Sequence, residues 1–365
     1  MKTLTILSLL LCTVVTFADQ SNLAETDFVF YGTSDASAAV ALTEDMFIMA
    51  DDENNTLRVY KTNNNSLPVA SFDLTKFLGT LSSYPEADIE GATMIGDHIY
   101  WISSHGRNKE GKIRPNRYRF FATCVDIQDP NFILEPVGTP SHTLIGRLVK
   151  DKEMIALGLD RATGFTAKLK KEQRKKLAPK VDGLNIEALC ASHDGNSIYI
   201  GFRNPLPYDQ TKTTPMALVV PLNNYRQVIH KQQEPVFGDP ILWNLKGLGI
   251  RSMEYSSFHK VYFVIAGAHN SQSKFALYRW SGKKSDQPVS ICKIETEKNQ
   301  FTPEALIVFK NCGKLLLLSD DGTLITDVSN INECMEGEML ENGKCPNKYL
   351  TNPNRKSFRG IWRSQ

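Results

Sequence analysis

Short apolar runs separated by polar turns recur along this chain. Five segments each contain two such runs, rich in Ile, Val, Leu and Tyr, and a tight polar turn joins the two runs. Each segment opens on a polar residue and closes on a polar cluster. Paired runs of this kind predict β-hairpins, and their recurrence predicts a repeat architecture. The five hairpins are predicted at residues 37–52, 90–105, 187–203, 254–269 and 304–320.

Further candidate strands follow each hairpin. Runs such as Thr56–Lys61 and 118–127 extend the hairpins to four antiparallel strands, and four-stranded units repeated radially form a β-propeller. The last unit has only 323–328 after its hairpin. We expect 27–32 or 358–362 to complete it, because either segment would join the chain ends and remove an exposed sheet edge. The sequence predicts an all-β propeller of five four-stranded blades, with six blades as the alternative.

The interval between the second and third hairpins is long enough to keep a sixth blade open. Over about residues 140–182, however, it is rich in helix formers and poor in β-branched residues near its end. We therefore expect a partly helical insertion between blades two and three. Residues 19–365 are predicted to form a single propeller domain, with a Cys-containing C-terminal loop at 331–350.

The N-terminal residues are typical of an export signal. Lys2 precedes a short apolar run, and Thr16 and Ala18 place small residues where a signal peptidase needs them. The run is too short to anchor the protein in a membrane. The sequence predicts a signal peptide at residues 1–18 and a secreted or periplasmic protein without stable membrane insertion.

Export would permit disulfide bonds. Cys334 and Cys345 flank a short polar segment and are the predicted pair, and Cys292 with Cys312 is a second candidate. The chain has no Cys-x-x-Cys and no His-x-x-x-His spacing, so local spacing predicts no structural zinc site.

The charge balance argues against a nucleic-acid binder. The chain has 365 residues, with 42 Lys and Arg against 40 Asp and Glu, for a formal net charge of +2. Its hydrophobic fraction of 41% and charged fraction of 22% are those of an ordinary globular protein. We expect a monomer that binds a small molecule or a glycan and does not bind nucleic acid.

Propeller geometry would gather polar residues at one mouth of the central channel. A hairpin places its first residue beside its last, and the first strand of each blade lines the channel. The opening residues and closing clusters should therefore surround the same mouth. The predicted ligand-binding residues are Asp35, Asp52, Glu53, Asp88, Glu90, His105, Arg107, Glu187, Arg203, Glu254, Glu304 and Asp320.

Four of these residues are glutamates that open a hairpin. Their mutual repulsion must be offset by arginines, by protons held at raised pKa values or by a cation. Carboxylate oxygens suit Ca²⁺ or another divalent cation. The alternative is that each glutamate accepts hydrogen bonds from the next blade and fastens the ring. Both interpretations stay open for the predicted metal ligands, which are Glu90, Glu187, Glu254 and Glu304.

The predicted mouth also contains groups that could transfer protons or bind anions. The candidates for catalysis are Glu90, His105 and His269. The loop 106–119 is rich in Arg and Lys, which suits an anionic ligand such as a phosphate ester; the alternative is a solvated loop that neutralises the glutamates. No nucleophile elbow or P-loop is present. Two functions follow: a binding propeller with a carboxylate-lined site for an anionic or metal-bridged ligand, or a metal-dependent hydrolase of phosphate or other esters.

Five phrases resemble a bacterial family known as domain of unknown function 3616. The resemblance covers most of the chain and implies a propeller-like, often exported protein, with no established activity or catalytic residues. The phrases are SDAS at 34–37, ADDENNTLRVY at 50–60, ADIEGA at 87–92, YWISSHGRN at 100–108 and FRGIW at 358–362.

Overall fold

Antiparallel strands are the main secondary structure of the protein in the computed structural model. The structure describes residues 27–128, 131–209, 211, 213–296 and 300–365. Strands make up 42% and helices 13%, and five four-stranded sheets form a β-propeller. The predicted fold class is therefore confirmed. The predicted signal peptide at residues 1–18 lies outside the described residues.

Each of the first four blades is a four-stranded meander of consecutive strands, and strand β1 (Asp27–Tyr31) precedes them. Blade one consists of β2 (Ala38–Ala41), β3 (Met46–Ala50), β4 (Thr56–Lys61) and β5 (Ala70–Asp73). Blade two consists of β6 (Ile89–Ile95), β7 (His98–Ser103), β8 (Phe120–Gln128) and β9 (Asn131–Ser141). Blade three consists of β10 (Asn185–Ala191), β11 (Ile198–Asn204), β12 (Ala217–Leu222) and β13 (Ile241–Trp243). Blade four consists of β14 (Gly249–Ser256), β15 (Val261–Gly267), β16 (Phe275–Trp280) and β17 (Val289–Ile294).

Blade five closes the ring with both chain ends. The remaining strands are β18 (Pro303–Val308), β19 (Lys314–Ser319), β20 (Ile325–Asp327), β21 (Lys344–Pro346) and β22 (Ser357–Ser364). The blade has the order β18-β19-β22-β1, so it uses both of the segments that the sequence offered as alternatives. Strand β20 pairs with β21 instead, outside the blade.

The C-terminal loop contains the predicted disulfide. Cys334 and Cys345 are joined, with their Cα atoms 5.9 Å apart. Cys292 and Cys312 are free thiols, so the second candidate pair is wrong.

The innermost strands form a closed ring around the channel. Strands β2, β6, β10, β14 and β18 each contact the innermost strands of both neighbouring blades. Side-chain hydroxyls tie them together: Ser37 Oγ donates to Ile89 O (2.6 Å), and Ala191 N donates to Thr93 Oγ1 (2.8 Å). Residues near the start of these strands therefore face the same mouth.

Apolar side chains fill the spaces between neighbouring blades. Ile48 and Val59 of blade one pack with Trp101 and Phe121 of blade two. Each blade is covered on both faces by its neighbours, so its inner strands are apolar at nearly every position. All five residues of β3, for example, are buried. This explains the continuous apolar runs in the sequence.

The expected insertion is present as four short helices between blades two and three. The first three pack against the core of these blades through buried residues such as Leu144, Leu148 and Leu159, whereas the fourth has no buried residue. No helix in the described part of the chain is both long and apolar enough to span a bilayer. The α-helices are α1 (Thr75–Leu78), α2 (Leu144–Leu148), α3 (Lys152–Ala156), α4 (Leu159–Thr163), α5 (Lys171–Lys175) and α6 (Tyr225–Lys231). Short 3₁₀ turns occupy Pro115–Arg117, Ile331–Glu333, Asn347–Tyr349 and Pro353–Arg355.

Candidate functional site at the channel mouth

A β-bulge near the start of the inner strand gives four blades a common side-chain position. In blade two, Ile89 pairs with Ser103 and Gly91 pairs with Ile102, which leaves Glu90 as the extra residue. An extra residue of this kind re-aims its side chain out of the regular ladder. The equivalent residues of the next three blades are Glu187, Arg251 and Glu304.

The bulge corrects the predicted ring of four glutamates. In blade four the extra residue lies between Ile250 and Ser252, so Arg251 takes this position. Glu254 pairs with Phe263 within the strand, and burial raises its pKa to about 8. The prediction that Glu254 opens this hairpin at the mouth is wrong. The regular apolar run begins after Glu254, whereas β14 itself begins earlier.

Arginines neutralise the glutamates of blades three and five. Arg251 Nε lies 2.8 Å from Glu187 Oε2, and its Nη2 contacts Glu304 Oε1. The second Glu187 oxygen accepts from Arg203 Nη1 (2.9 Å) and from Asn185 Nδ2 (2.5 Å). Burial lowers the pKa of Arg251 to about 10, so this arginine remains charged at neutral pH. We call these five residues the paired half of the mouth.

Carboxylates from blades one and two cluster at the same mouth. Oxygens of Asp35, Asp51 and Asp52 lie within 4.8 Å of one another, and so do oxygens of Asp52, Asp88 and Glu90. Asp52 belongs to both groups and connects them. Glu90 interacts electrostatically with Glu187, Arg251 and Arg203, which places the cluster beside the paired half. We call Asp35, Asp51, Asp52, Asp88 and Glu90 the acidic half.

Three members of the acidic half have polar partners in the protein. Asp51 accepts hydrogen bonds from Thr33 Oγ1 and from Glu53 N (2.8 Å). Asp35 Oδ2 accepts from Ser34 Oγ at 2.5 Å. Asp88 Oδ2 lies 3.0 Å from Arg117 Nη1, and Arg117 also pairs with Glu86. These contacts hold the cluster in place.

The other two members have coordination capacity to spare. Glu90 is only 9% exposed, yet it makes no hydrogen bond or ion pair with any residue that the structure describes. Asp52 Oδ1 is buried and has no hydrogen-bond partner in the described part of the chain. Both side chains belong to the same group of three carboxylates, so they face a common point.

Burial and mutual repulsion make this cluster unfavourable as bare anions. Burial raises the pKa values of Asp35, Asp52 and Glu90 well above the usual range. Repulsion adds to the effect, because Asp35 faces Asp320, Asp52 faces Asp35 and Glu90 faces Glu187. A bound cation would remove the repulsion, and protons would do so in its absence.

His105 is turned away from the carboxylates. It has a positive φ of 52°, and its Nδ1 lies 2.8 Å from Ser103 O. Burial lowers its pKa to about 4, with Arg119 and His142 as its electrostatic neighbours. Its Nε2 is buried without a partner among the described residues. The sequence predicted that His105 would lie beside Glu90, and the structure does not bring these two side chains together.

Arg107 fastens the helical insertion. Its guanidinium donates to Thr163 O (3.0 Å), to Gly164 O (3.0 Å) and to Gly111 O (2.9 Å). These carbonyls accept hydrogen bonds from the N–H groups that an anionic ligand would need. The prediction that Arg107 binds a ligand is corrected to a structural role.

The remaining predicted residues lie around the mouth. The backbone of Asp320 forms an isolated antiparallel β-bridge with that of Asp35. Glu53 forms an ion pair with Lys348 at 2.6 Å. His269 follows the end of β15, where its carbonyl accepts from Asn204 Nδ2 at 3.3 Å. Its imidazole is half-buried.

A larger cavity lies apart from the acidic half. It has a volume of about 720 Å³ and lies between the helical insertion and the loop that follows β11. Leu157, Leu177, Pro205 and Tyr208 supply much of its lining, with Arg161 as its cation. No residue of the acidic half lines it, so this cavity is separate from the carboxylate cluster.

Comparisons with solved structures find other propeller-like folds. Glutaminyl cyclase from Myxococcus xanthus is 10% identical, with a TM-score of 0.40, over 80% of this chain and 88% of that one. A putative oxidoreductase (glucose dehydrogenase) from Thermus thermophilus is 11% identical, with a TM-score of 0.42, over 92% of this chain and 100% of that one. At this distance the resemblance carries no argument about activity.

Comparisons of sequence place the chain in a family. No curated protein matches it. The family described as "Protein of unknown function (DUF3616)" matches residues 35–311, which include both halves of the mouth and most of the blades. The chain is a member of the DUF3616 family.

Proposed function

We propose that this protein is a binding propeller whose acidic half holds a divalent cation, with Ca²⁺ as the best-suited ion. The observation that carries the proposal is Glu90, a carboxylate that is nine-tenths buried and has no partner among the described residues. It lies within 4.8 Å of Asp52 and Asp88 oxygens, and one Asp52 oxygen is itself buried and unpartnered. A cation at their common point would satisfy both groups.

The donor set favours a hard cation. All five side chains of the acidic half offer carboxylate oxygens, and Ca²⁺ takes six to eight oxygen ligands in flexible geometry. Thiolate and imidazole ligands, which select softer metals, are absent from the two carboxylate groups. Asp52 would be the central ligand, because it alone belongs to both groups.

A cation in this place would also explain how an acidic mouth could bind an anionic ligand. The protein oxygens would leave coordination positions open toward the channel, where phosphate or carboxylate oxygens of a ligand could bind. Arg117 lies beside the cluster but already pairs with Asp88 and Glu86, so the bound cation would supply the positive charge that attracts an anionic ligand. A small molecule or a glycan with an acidic group fits this arrangement.

Binding is favoured over the alternative, a metal-dependent ester hydrolase. Hydrolysis needs a base within hydrogen-bond reach of a metal-bound water. His105, the foremost candidate for that base, is buried beside Arg119 and His142 and does not face the cluster.

Calcium titration of the metal-free protein tests the proposal. We expect Ca²⁺ to raise the melting temperature and to bind in calorimetry, because a ligand at one hundred times its Kd stabilises a fold by about 2.7 kcal/mol. Glu90→Gln and Asp52→Asn should abolish this response. Glu254→Gln is the matched control: Glu254 is also desolvated, but it lies outside the cluster.

Two results would decide against the proposal. The absence of Ca²⁺, Mg²⁺ or Mn²⁺ binding by the unaltered chain would refute the cation site, and so would full binding by Glu90→Gln. Turnover of a phosphate ester that requires the metal and disappears in Glu90→Gln would replace binding with the hydrolase alternative.

A further inference from the structure

A second cluster of metal-binding side chains lies at the other end of blade two. Glu90 is near the start of β6, whereas Asp97 follows the end of this strand in the turn to β7. His98 opens β7 and pairs with Cys124 of β8 across the sheet. The strand pairing therefore joins three different ligand types, two of which are neighbours in sequence and one of which is distant.

The distances suit a small tetrahedral ion. One ligand atom from each of Asp97, His98 and Cys124 lies within 4.8 Å of the other two. Cys124 Sγ is 3.7 Å from Asp97 Oδ2, and His98 Nδ1 is 2.6 Å from Asp97 Oδ1. Zinc bonds of about 2.0–2.3 Å place tetrahedral ligands roughly 3.3–3.8 Å apart. The sulfur–oxygen distance already fits coordination through Asp97 Oδ2, and the contact between His98 Nδ1 and Asp97 Oδ1 must open so that the imidazole can turn toward the ion.

That opening is within reach of these side chains. The Asp97 side chain is 70% exposed and stands in a turn, so it can rotate without disturbing the core. His98 is half-buried, which orients its imidazole while leaving one side open to water. The ring of His230 lies outside the cluster, with its centroid 6.0 Å from that of His98. A water molecule would complete the four ligands.

The donor types distinguish this cluster from the acidic half. Thiolate and imidazole prefer borderline and soft divalent metals such as zinc, whereas Ca²⁺ prefers oxygen alone. The surroundings of the thiol also favour a cation. Partial burial raises the pKa of Cys124, and the nearby carboxylates of Asp97, Glu135 and Asp126 raise it further. A positive ion between these groups would relieve the repulsion that a thiolate meets there.

We propose that Asp97, His98 and Cys124 form a binding site for a zinc-type divalent cation, separate from the channel mouth. Binding displaces the thiol proton of Cys124, which passes to solvent, and the neutral imidazole of His98 binds through Nδ1 while its proton sits on Nε2. The ion ties the β6–β7 turn to strand β8. The three protein ligands leave the fourth position to an exchangeable water.

Cobalt titration of the full chain tests this site. Co²⁺ replaces zinc in thiolate sites and then gives an intense sulfur-to-metal charge-transfer absorption. We expect the metal-free protein, handled anaerobically, to show this absorption with one Co²⁺ bound, and we expect Zn²⁺ to remove it. Cys124→Ser should lose the absorption, and His98→Ala should weaken Co²⁺ binding at least tenfold.

Two control variants separate this site from the exposed thiol of blade four and from the channel mouth. Cys292→Ser removes that free thiol and should leave the absorption unchanged. Glu90→Gln should also leave it unchanged, so a failure at the channel mouth and a failure here give different results. The inference is overturned if the unaltered chain shows no sulfur-to-cobalt absorption, or if the absorption persists in Cys124→Ser.

Discussion

The two halves of the channel mouth share one backbone feature, the β-bulge near the start of the inner strand, but the glutamates at this bulge have different partners. Glu90 and Glu187 occupy the same bulge position in neighbouring blades, and both are buried. Glu187 has both oxygens held by arginines and an asparagine, whereas Glu90 has no partner among the described residues. Blades two and three adjoin each other, so the difference comes from their other neighbours. Blade four places Arg251 beside Glu187, whereas blade one places Ser37 beside the strand of Glu90.

This contrast shows how a repeat fold can separate structure from function. A repeated position is first an architectural one, and the ion pairs of Glu187 and Glu304 with Arg251 fasten blades three, four and five together. In blade two no arginine of the described residues pairs with the glutamate at this position, so Glu90 presents an unpaired carboxylate. The repeated position therefore shapes the mouth, and the blade that departs from the pairing pattern supplies the carboxylate that is available to a ligand.

Removing the central arginine should have the largest effect on this contrast. Arg251→Met leaves Glu187 and Glu304 buried without their shared cation, and breaking a buried pair in this way costs about 3–5 kcal/mol. We expect chemical denaturation to show a loss in that range. The control is Arg279→Met on the exposed face of β16, which should change stability by less than about 0.5 kcal/mol. A loss below about 1 kcal/mol for Arg251→Met would show that the ion pairs do not fasten the blades.

The same substitution in the two halves should have different consequences. Glu187→Gln leaves Arg203 and Arg251 short of a carboxylate and should destabilise the fold by about 3 kcal/mol. Glu90→Gln removes a repelling charge that has no partner, so the metal-free protein should keep its stability to within about 1 kcal/mol. Equal losses in parallel denaturation curves would contradict the division of the mouth.

The dependence of stability on pH should reveal the unpaired carboxylates with a smaller effect. Folding raises the pKa of Glu90, so from about pH 4.5 up to the raised value the folded state binds more protons than the unfolded state. The contribution of Glu90 is therefore present below pH 4.5 and is lost as pH rises through the raised pKa. We expect the metal-free protein to lose stability relative to Glu90→Gln over this window, because only the unaltered chain must ionise a buried carboxylate beside other carboxylates.

Measuring the difference between the two proteins cancels the groups they share. His105 is among these, because its lowered pKa costs stability as the pH falls below its ordinary value of 6.5. Saturating Ca²⁺ should reverse the trend for the unaltered chain, because the ion binds the deprotonated carboxylates. Identical pH profiles for the two proteins would show that Glu90 does not titrate as an unpaired buried group.

Much of the fold follows from local pattern. The paired apolar runs predicted the hairpins, and the helix formers after blade two predicted the insertion, because turns and propensities act between neighbours in sequence. Glu254 shows where this reasoning fails. The apolar alternation begins beside Glu254, but the bulge lies at Arg251, and only the register with β15 shows that one residue there lacks a cross-strand partner.

Candidate chemistry was harder to predict than the strands. Asp35, Asp52, Asp88 and Glu90 were identified because polar residues at strand ends of a propeller face the mouth, and they do lie together. Arg107 and His105 also follow a strand end in sequence. In the structure, however, Arg107 donates to backbone carbonyls of the insertion, and His105 is buried. Cys124 carries no local signal, because its metal-ligating neighbours adjoin it only across the sheet.

The sequence by itself determined the architecture: alternating short apolar runs and polar turns, repeated five times, specify strands that must pack blade against blade to bury both faces. The tertiary structure alone decided which polar residues are satisfied. Whether a buried carboxylate is neutralised depends on charges that arrive from other blades, far away in sequence. Arg251 reaches Glu187 and Glu304 because the packing of adjacent blades places it between them, and among the described residues no arginine is placed to pair with Glu90.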